Sequence, residues 1–240
     1  MSSNAALLLL PNLLGDLPDH RLFLPASVDQ AMETIDGLIA ESETAGRRYL
    51  GRFKTKRPAR DIPIALLNKN TPPEDYDFLL EPIRKGERWG LVSDAGLPCI
   101  ADPGYQLVRR MHQFGIPVEL FVGPSAFIMA LMLSGLPGQS FAFNGYAPKE
   151  PANRDKKMQE LEAHSLRTGT TQIFMEAPHR NQHTLEALLN ILKDSTYLSI
   201  VWDITLPSQG IMTKAIHSWK KIPLPHLTKK NVVFLLHGNG

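Results

Sequence analysis

Residues 89–126 read WGLVSDAGLPCIADPGYQLVRRMHQFGIPVELFVGPSA. An apolar run from Trp89 to Ser93 ends in a cluster of turn residues. Asp102-Pro103-Gly104 then reads as a helix start, with Asp102 as cap and Pro103 in the first helical position. Leu107, Val108, Met111 and Phe114 follow at helical spacing, and Gly115 supplies the stop. Val118 to Val122 is the next strand. Gly123-Pro124-Ser125 turns the chain again, with Ser125 as cap of a helix running to Leu133. Strand, helix, strand, helix in that order implies parallel strands and an α/β fold. Ligands in such sheets bind beyond the carboxyl ends of the strands, so the turns at 93–98 and 123–126 are both candidate binding loops.

Working outward, Ala5 to Leu10 is an apolar run with no Lys or Arg ahead of it, stopped by Pro11. It is too short for a secretory signal or a membrane span and reads as a buried first strand. Gln172 to Met175, Leu198 to Trp202 and Val232 to Leu236 read as further strands, and Leu185, Leu188, Leu189 and Leu192 form a helical stripe. Gly135 to Lys149, rich in Gly, Pro and aromatics, begins the second half. These features divide the chain into two α/β domains, 1–122 and 123–240. No internal repeat is visible. With 43% hydrophobic and 21% charged residues among 240, the composition is that of a globular protein. The single cysteine, Cys99, excludes an internal disulfide framework and a cysteine-cluster zinc site, and points to a reducing, cytoplasmic setting.

Three features carry chemistry. In VSDAGLPCIADPG, residues 92–104, small residues and prolines allow close backbone approach to a ligand. Taken alone, a plain surface loop fits it equally well. In Glu176-Ala177-Pro178-His179-Arg180, between a strand and a helix, Arg180 suits a phosphate and His179 a ribose or base. The plainer alternative is that Glu176 and Arg180 pair with each other. His179 and His183 have helical metal-ligand spacing but lack a third ligand, so no metal is expected. Between Thr44 and Arg60 stand seven basic residues, Arg47, Arg48, Arg52, Lys54, Lys56, Arg57 and Arg60, with no acid and with Tyr49 and Phe53 interleaved. A solvated face is the common meaning of such a run; density and aromatics favour nucleic acid. Lys149, Arg154, Lys156 and Lys157 form a second, weaker patch.

Residues 92–104 resemble the S-D-A-G-T-P-x-I-x-D-P-G motif of the tetrapyrrole-methylase superfamily in its ribosomal small-subunit methyltransferase I branch, with Leu97 in place of Thr. Pro11, Gly15 and Leu17 in PNLLGDL resemble P-T-P-I-G-N-L. Glu41 and Arg47 sit where A-E-D-T-R-H-T-R has a Glu and an Arg. Gly123 to Ala126 matches G-P-S-A, Ser134 to Pro137 matches S-G-L-P, and Glu176 to Arg180 matches E-A-P-H-R. The resemblance implies two α/β domains with the active site in the cleft between them, a homodimer, and S-adenosylmethionine as cofactor. By position, Leu14, Ala95, Pro98, Ser125, Ala126 and Met175 line its pocket, with Asp94 and Gly96 shaping the loop. It further implies ribosomal RNA as partner, for which the charge pattern and the 176–180 block make Arg47, Arg52, Lys54, Lys149, Arg154, His179 and Arg180 the candidate contacts.

Methyl transfer from a sulfonium needs mainly alignment and a dry pocket. A ribose hydroxyl acceptor must also lose a proton, and Glu41 and Glu176 are the carboxylates placed to take it. Departures concentrate on the acceptor side. Ser42 stands for Asp, Glu43 and Thr44 replace a Thr-Arg pair, and Trp202 to Pro207 replaces R-E-L-T-K, removing an Arg and a Lys. The leading expectation is 2′-O-methylation of a cytidine in small-subunit ribosomal RNA. The alternatives are a methyltransferase on a tetrapyrrole or other small molecule, and a non-catalytic RNA-binding protein that keeps the cofactor pocket.

Overall fold

The computed structural model describes residues 4–239. The elements of the first unit are β1 (Ala6–Leu9), α1 (Ala26–Met32), β2 (Gly37–Ala40), α2 (Glu43–Leu50), β3 (Ile64–Leu66), α3 (Tyr76–Arg84), β4 (Arg88–Leu91), α4 (Tyr105–Phe114) and β5 (Val118–Leu120). Those of the second are α5 (Ala126–Ser134), β6 (Phe141–Tyr146), α6 (Pro151–Thr168), β7 (Thr171–Met175), α7 (Asn181–Ile191), β8 (Tyr197–Trp202), β9 (Gly210–Ala215), α8 (Ile216–Trp219) and β10 (Val232–His237). The chain divides after Ser125. No described helix is long and apolar enough to cross a membrane.

In the first unit all five strands are parallel, in the order β3-β2-β4-β1-β5. β1 is an interior strand covered on both faces, so its sequence is apolar at every position instead of alternating. Leu8 and Leu10 join a core with Leu38, with Val28 and Met32 of α1, and with Tyr49 and Leu50 of α2. Leu7 joins the opposite core with Ile39, with Leu79, Leu80 and Ile83 of α3, and with Leu107 and Met111 of α4. The first two crossovers therefore lie on one face and run toward the β3 edge, while the next two lie on the other face and run toward β5. Neighbouring strands β1 and β4 send their loops to opposite faces, and the crevice this opens is where open α/β sheets bind ligands.

α4 begins at Tyr105, behind Gly104, and not at Pro103. Asp102 is not its cap; its carboxyl pairs with the Ser93 side chain instead. The helix ends as expected, with Gly115 at φ 64° and the Gly115 and Ile116 N–H groups returning to His112 and Met111 carbonyls.

The second unit departs from the parallel expectation. Its sheet runs β6-β7-β10-β8-β9, and only β6 and β7, joined across α6, are parallel. β10 lies antiparallel to β7 and β8, and β8 pairs antiparallel with β9 through the short 203–209 turn. A connection that short cannot carry the chain back for a parallel partner. Leu185, Leu188, Leu189 and Leu192 are all buried, and Trp219 is fully buried with its indole N–H on the Leu198 carbonyl at 2.9 Å.

Candidate active site

Four loops leave the carboxyl ends of β1, β2, β4 and β5, and hydrogen bonds or close contacts tie them into one cluster. Gly96, at φ 70°, is buried at its centre. A Cβ there would stand 3.2 Å from Leu14 Cδ2 and 3.4 Å from the Pro124 carbonyl oxygen, so three loops meet at a crowded position whose φ favours glycine. Gly123 lies flat on Pro11; a Cβ would come within 2.1 Å of the proline ring. The turns at 93–98 and 123–125, separated by about thirty residues of chain, are thus side by side.

Asn12 is the knot. Its Nδ2 donates to the carbonyls of Ser93 and Asp94, both at 2.9 Å, and its backbone N–H donates to Gly96 O at 2.7 Å. Its Oδ1 accepts from Arg52 Nη1 at 2.7 Å and from Leu13 N–H at 2.9 Å. Tyr49 is buried, and its hydroxyl donates to the Pro11 carbonyl at 3.0 Å. Asn12 was not singled out from sequence; the signal available was its place in the PNLLGDL block, where the resembling motif has Thr.

Glu41, just beyond β2, accepts the Asp94 N–H at 3.1 Å through Oε1. Burial lifts its pKa above the ordinary glutamate value, and the nearby Asp94 and Asp102 charges push the same way against that hydrogen bond. Asp102 is raised as well, chiefly by burial. Pro98 is buried and Asp94 and Ala95 are exposed on the loop. The Ser125 hydroxyl is buried and, among the described residues, has no hydrogen-bond partner; it does not cap α5. Burying a hydroxyl without a partner costs about 1–3 kcal/mol, so the position suits a group that a ligand completes.

The second unit holds the rest of the expected residues. Met175 ends β7 and Ala126 begins α5. The Glu176 side chain is wholly buried and committed. Its Oε1 accepts from Ala177 N–H at 2.7 Å, from Arg180 Nε at 2.9 Å and from Arg180 Nη2, while Oε2 accepts from Thr184 Oγ1 at 3.0 Å. The mutual pairing of Glu176 and Arg180 is therefore real, and it leaves the carboxylate no lone pair facing solvent for a proton. His179 is exposed, Lys149 is exposed just before α6, and Arg154 pairs with Asp155 at 2.9 Å. The turn replacing R-E-L-T-K is held by Asp203, which binds Lys230 Nζ at 2.7 Å and Ser208 Oγ at 2.9 Å.

The basic stretch looks different folded than linear. Tyr49 and Phe53 are core residues, at 1% and 8% exposure, so neither offers a ring for base stacking. Arg47 spends Nη1 on the Ala59 and Ile62 carbonyls at 2.8 and 2.7 Å and Nε on Glu43 at 2.8 Å. Lys54 meets Glu33 at 3.1 Å, and Lys56 and Arg57 meet the Asp36 carboxylate and carbonyl. Acids from outside the stretch answer much of its charge.

The model of the tetrapyrrole (corrin/porphyrin) methylases matches residues 29–217, most of the chain. The chain belongs to this family. Among curated relatives of this methylase, the Vibrio cholerae protein named ribosomal RNA small subunit methyltransferase I is 32% identical over 228 residues, covering 94% of the chain and 73% of the relative. The Thermotoga maritima protein of the same name is 30% identical, covering 83% and 87%. Solved structures share the fold at low identity. The methyltransferase CobJ gives a TM-score of 0.63 at 17% identity, covering 98% of this chain and 95% of that one. Diphthine synthase gives 0.62 at 15%, covering 97% and 89%. The two-domain α/β expectation is met, and the protein is a methyltransferase by family.

Proposed function

We propose that this methylase transfers a methyl group from S-adenosylmethionine to the 2′-hydroxyl of a cytidine in small-subunit ribosomal RNA. The observation that carries the proposal is the meeting of Leu14, Gly96 and Pro124 at the carboxyl ends of β1, β4 and β5, beside the unpartnered Ser125 hydroxyl. The residues there fit the cofactor: a glycine at φ 70° crowded by Leu14 and Pro124, small neighbours Ala95 and Ala126, and a buried hydroxyl needing a partner. Leu14, Asp94, Ala95, Gly96, Pro98 and Ser125 would hold it; Ala126 and Met175 are assigned to it by the family resemblance alone. When bound there, the sulfonium supplies an already activated methyl group. The chain supplies alignment and excludes water, the larger part of what such a displacement needs.

Removing the acceptor proton falls to Glu41, a carboxylate whose Oε1 takes the Asp94 N–H and whose pKa burial raises above the ordinary glutamate value. Glu176 serves by fixing the 176–180 turn that presents His179 and Arg180. Relatives bearing the ribosomal RNA methyltransferase name, at 32% and 30% identity, support RNA over a corrinoid as acceptor. Lys54, Lys149, His179 and Arg180 are the contacts assigned to it. Homodimerisation is supported by Leu120 at the end of the edge strand β5 and Val122 just beyond it, exposed at 74% and 75%, and a cytoplasmic setting is inferred from ribosomal RNA as the substrate. Labelled methyl transfer to small ribosomal subunits and to free RNA, followed by mapping of the product, tests the proposal. A 2′-O-methylcytidine is expected; label that enters only small molecules would refute it.

A further inference from the structure

The β4–α4 loop holds Gly96, Cys99, Ala101 and Gly104 at φ values of 70°, 70°, 64° and 135°. Two non-glycine residues in the left-handed region make a loop that outside bonds must over-determine. Most of those bonds come from Asn12, which serves the carbonyls of Ser93, Asp94 and Gly96. A carboxamide can face either way. Here Arg52 settles it: a guanidinium only donates, so Nη1 at 2.7 Å draws Oδ1 toward itself and turns the amide nitrogen to the loop. Leu13 N–H asks for the same orientation, with a neutral and weaker bond at 2.9 Å. The Arg52 side chain is 19% exposed, and its other reach is to Asp16 at 4.0 Å. It stands within the basic stretch yet points its charge into the loop cluster.

We propose that Asn12 and Arg52 are a positioning pair that fixes the β4–α4 loop in the shape that receives the cofactor, Arg52 acting through the Asn12 amide. The inference rests on that loop being the S-adenosylmethionine site. The test compares wild type with Arg52→Ala, Arg52→Lys and Asn12→Asp. S-adenosylmethionine and S-adenosylhomocysteine are titrated calorimetrically, and KM is measured for cofactor and for RNA over a range of salt. Arg52→Ala is expected to raise cofactor Kd and KM about tenfold while the RNA KM and its salt slope stay unchanged. Arg52→Lys, keeping the charge and a donor, recovers at least about a third of that loss on a logarithmic scale. Asn12→Asp still accepts from Arg52 but cannot donate to the two carbonyls, so it loses at least as much as Arg52→Ala. A cofactor Kd within about twofold of wild type in Arg52→Ala, or a salt slope reduced by about one unit, overturns the pair and returns Arg52 to the RNA contacts. Wild type that binds neither nucleoside at millimolar concentration refutes the site itself; wild type that binds while the variants are indifferent refutes the pair alone. Should Asn12→Asp fail to fold, the two Arg52 variants, which alter a side chain at the rim of the cluster, carry the test.

Discussion

The loops of the first unit and the turn at 176–184 of the second both follow parallel strands, yet they satisfy their polar groups in opposite ways. In the second, Glu176, Arg180 and Thr184 close on one another, and removing any member would strand a buried partner. In the first, backbone is held in left-handed conformations, a serine hydroxyl is buried unpartnered, and a glutamate is raised in pKa by burial. The contrast separates a region finished by its own side chains from one that leaves polar groups unmet, and the proposed function seats the ligand in the second kind. Strain and unmet hydrogen bonds persist where surrounding structure enforces them, and such places favour binding and chemistry.

The sharpest way to break this contrast is Glu41→Gln, which keeps the Asp94 hydrogen bond but removes the base. We predict a fall in kcat of about 10²–10⁴-fold with cofactor Kd little changed; an active variant would remove Glu41 from the reaction. The wild-type rate should also decline as pH falls, because the base works deprotonated. Since burial raises its pKa, that decline should begin above the range of an ordinary glutamate, and the limb should vanish in Glu41→Gln. Next, Gly96→Val forces a β-branched residue to φ 70° against Leu14 and Pro124. Cofactor affinity should drop by about 100-fold or more, and retention of wild-type Kd would show that the loop is mere connection. In the self-satisfied region, Glu176→Gln leaves Arg180 and Thr184 mismatched. Stability should fall by about 3 kcal/mol in denaturant titration, with cofactor Kd changed less than in Gly96→Val; the reverse order of effects would erase the distinction drawn here. Smallest is Lys54→Ala. Its exposed pair with Glu33 is worth about 0–1 kcal/mol, so stability should barely move while the salt slope of RNA binding drops by about one.

Much of this was legible in the order of residues. Leu107, Val108, Met111 and Phe114 with Gly115 behind them specify α4 and its left-handed stop, because helical spacing and a glycine cap are local. The fully apolar β1 announces a strand buried on both faces. What local reading misjudged was tertiary. Asp102 has the chemistry of a cap, but Ser93, brought across the loop, takes its carboxyl and the helix starts two residues later than Pro103. Tyr49 and Phe53 sit among arginines in sequence, yet the turn of α2 puts both rings in the core. The basic stretch has no acid inside it, whereas Glu33 and Asp36 arrive from the connection between α1 and β2 to meet it. The loops proposed as the site could be singled out because their small residues and prolines are a local pattern. Asn12 was missed because an asparagine acquires its meaning only from the three carbonyls and one guanidinium that folding sets around it.

The central claim is that the loops at 12–15, 93–104 and 123–125 together take up S-adenosylmethionine. Amide hydrogen exchange on the intact chain, with and without saturating S-adenosylmethionine, tests it directly. The account predicts slower exchange in all three segments at once and little change at 176–184. Protection confined to other segments, or none at millimolar cofactor, would contradict it.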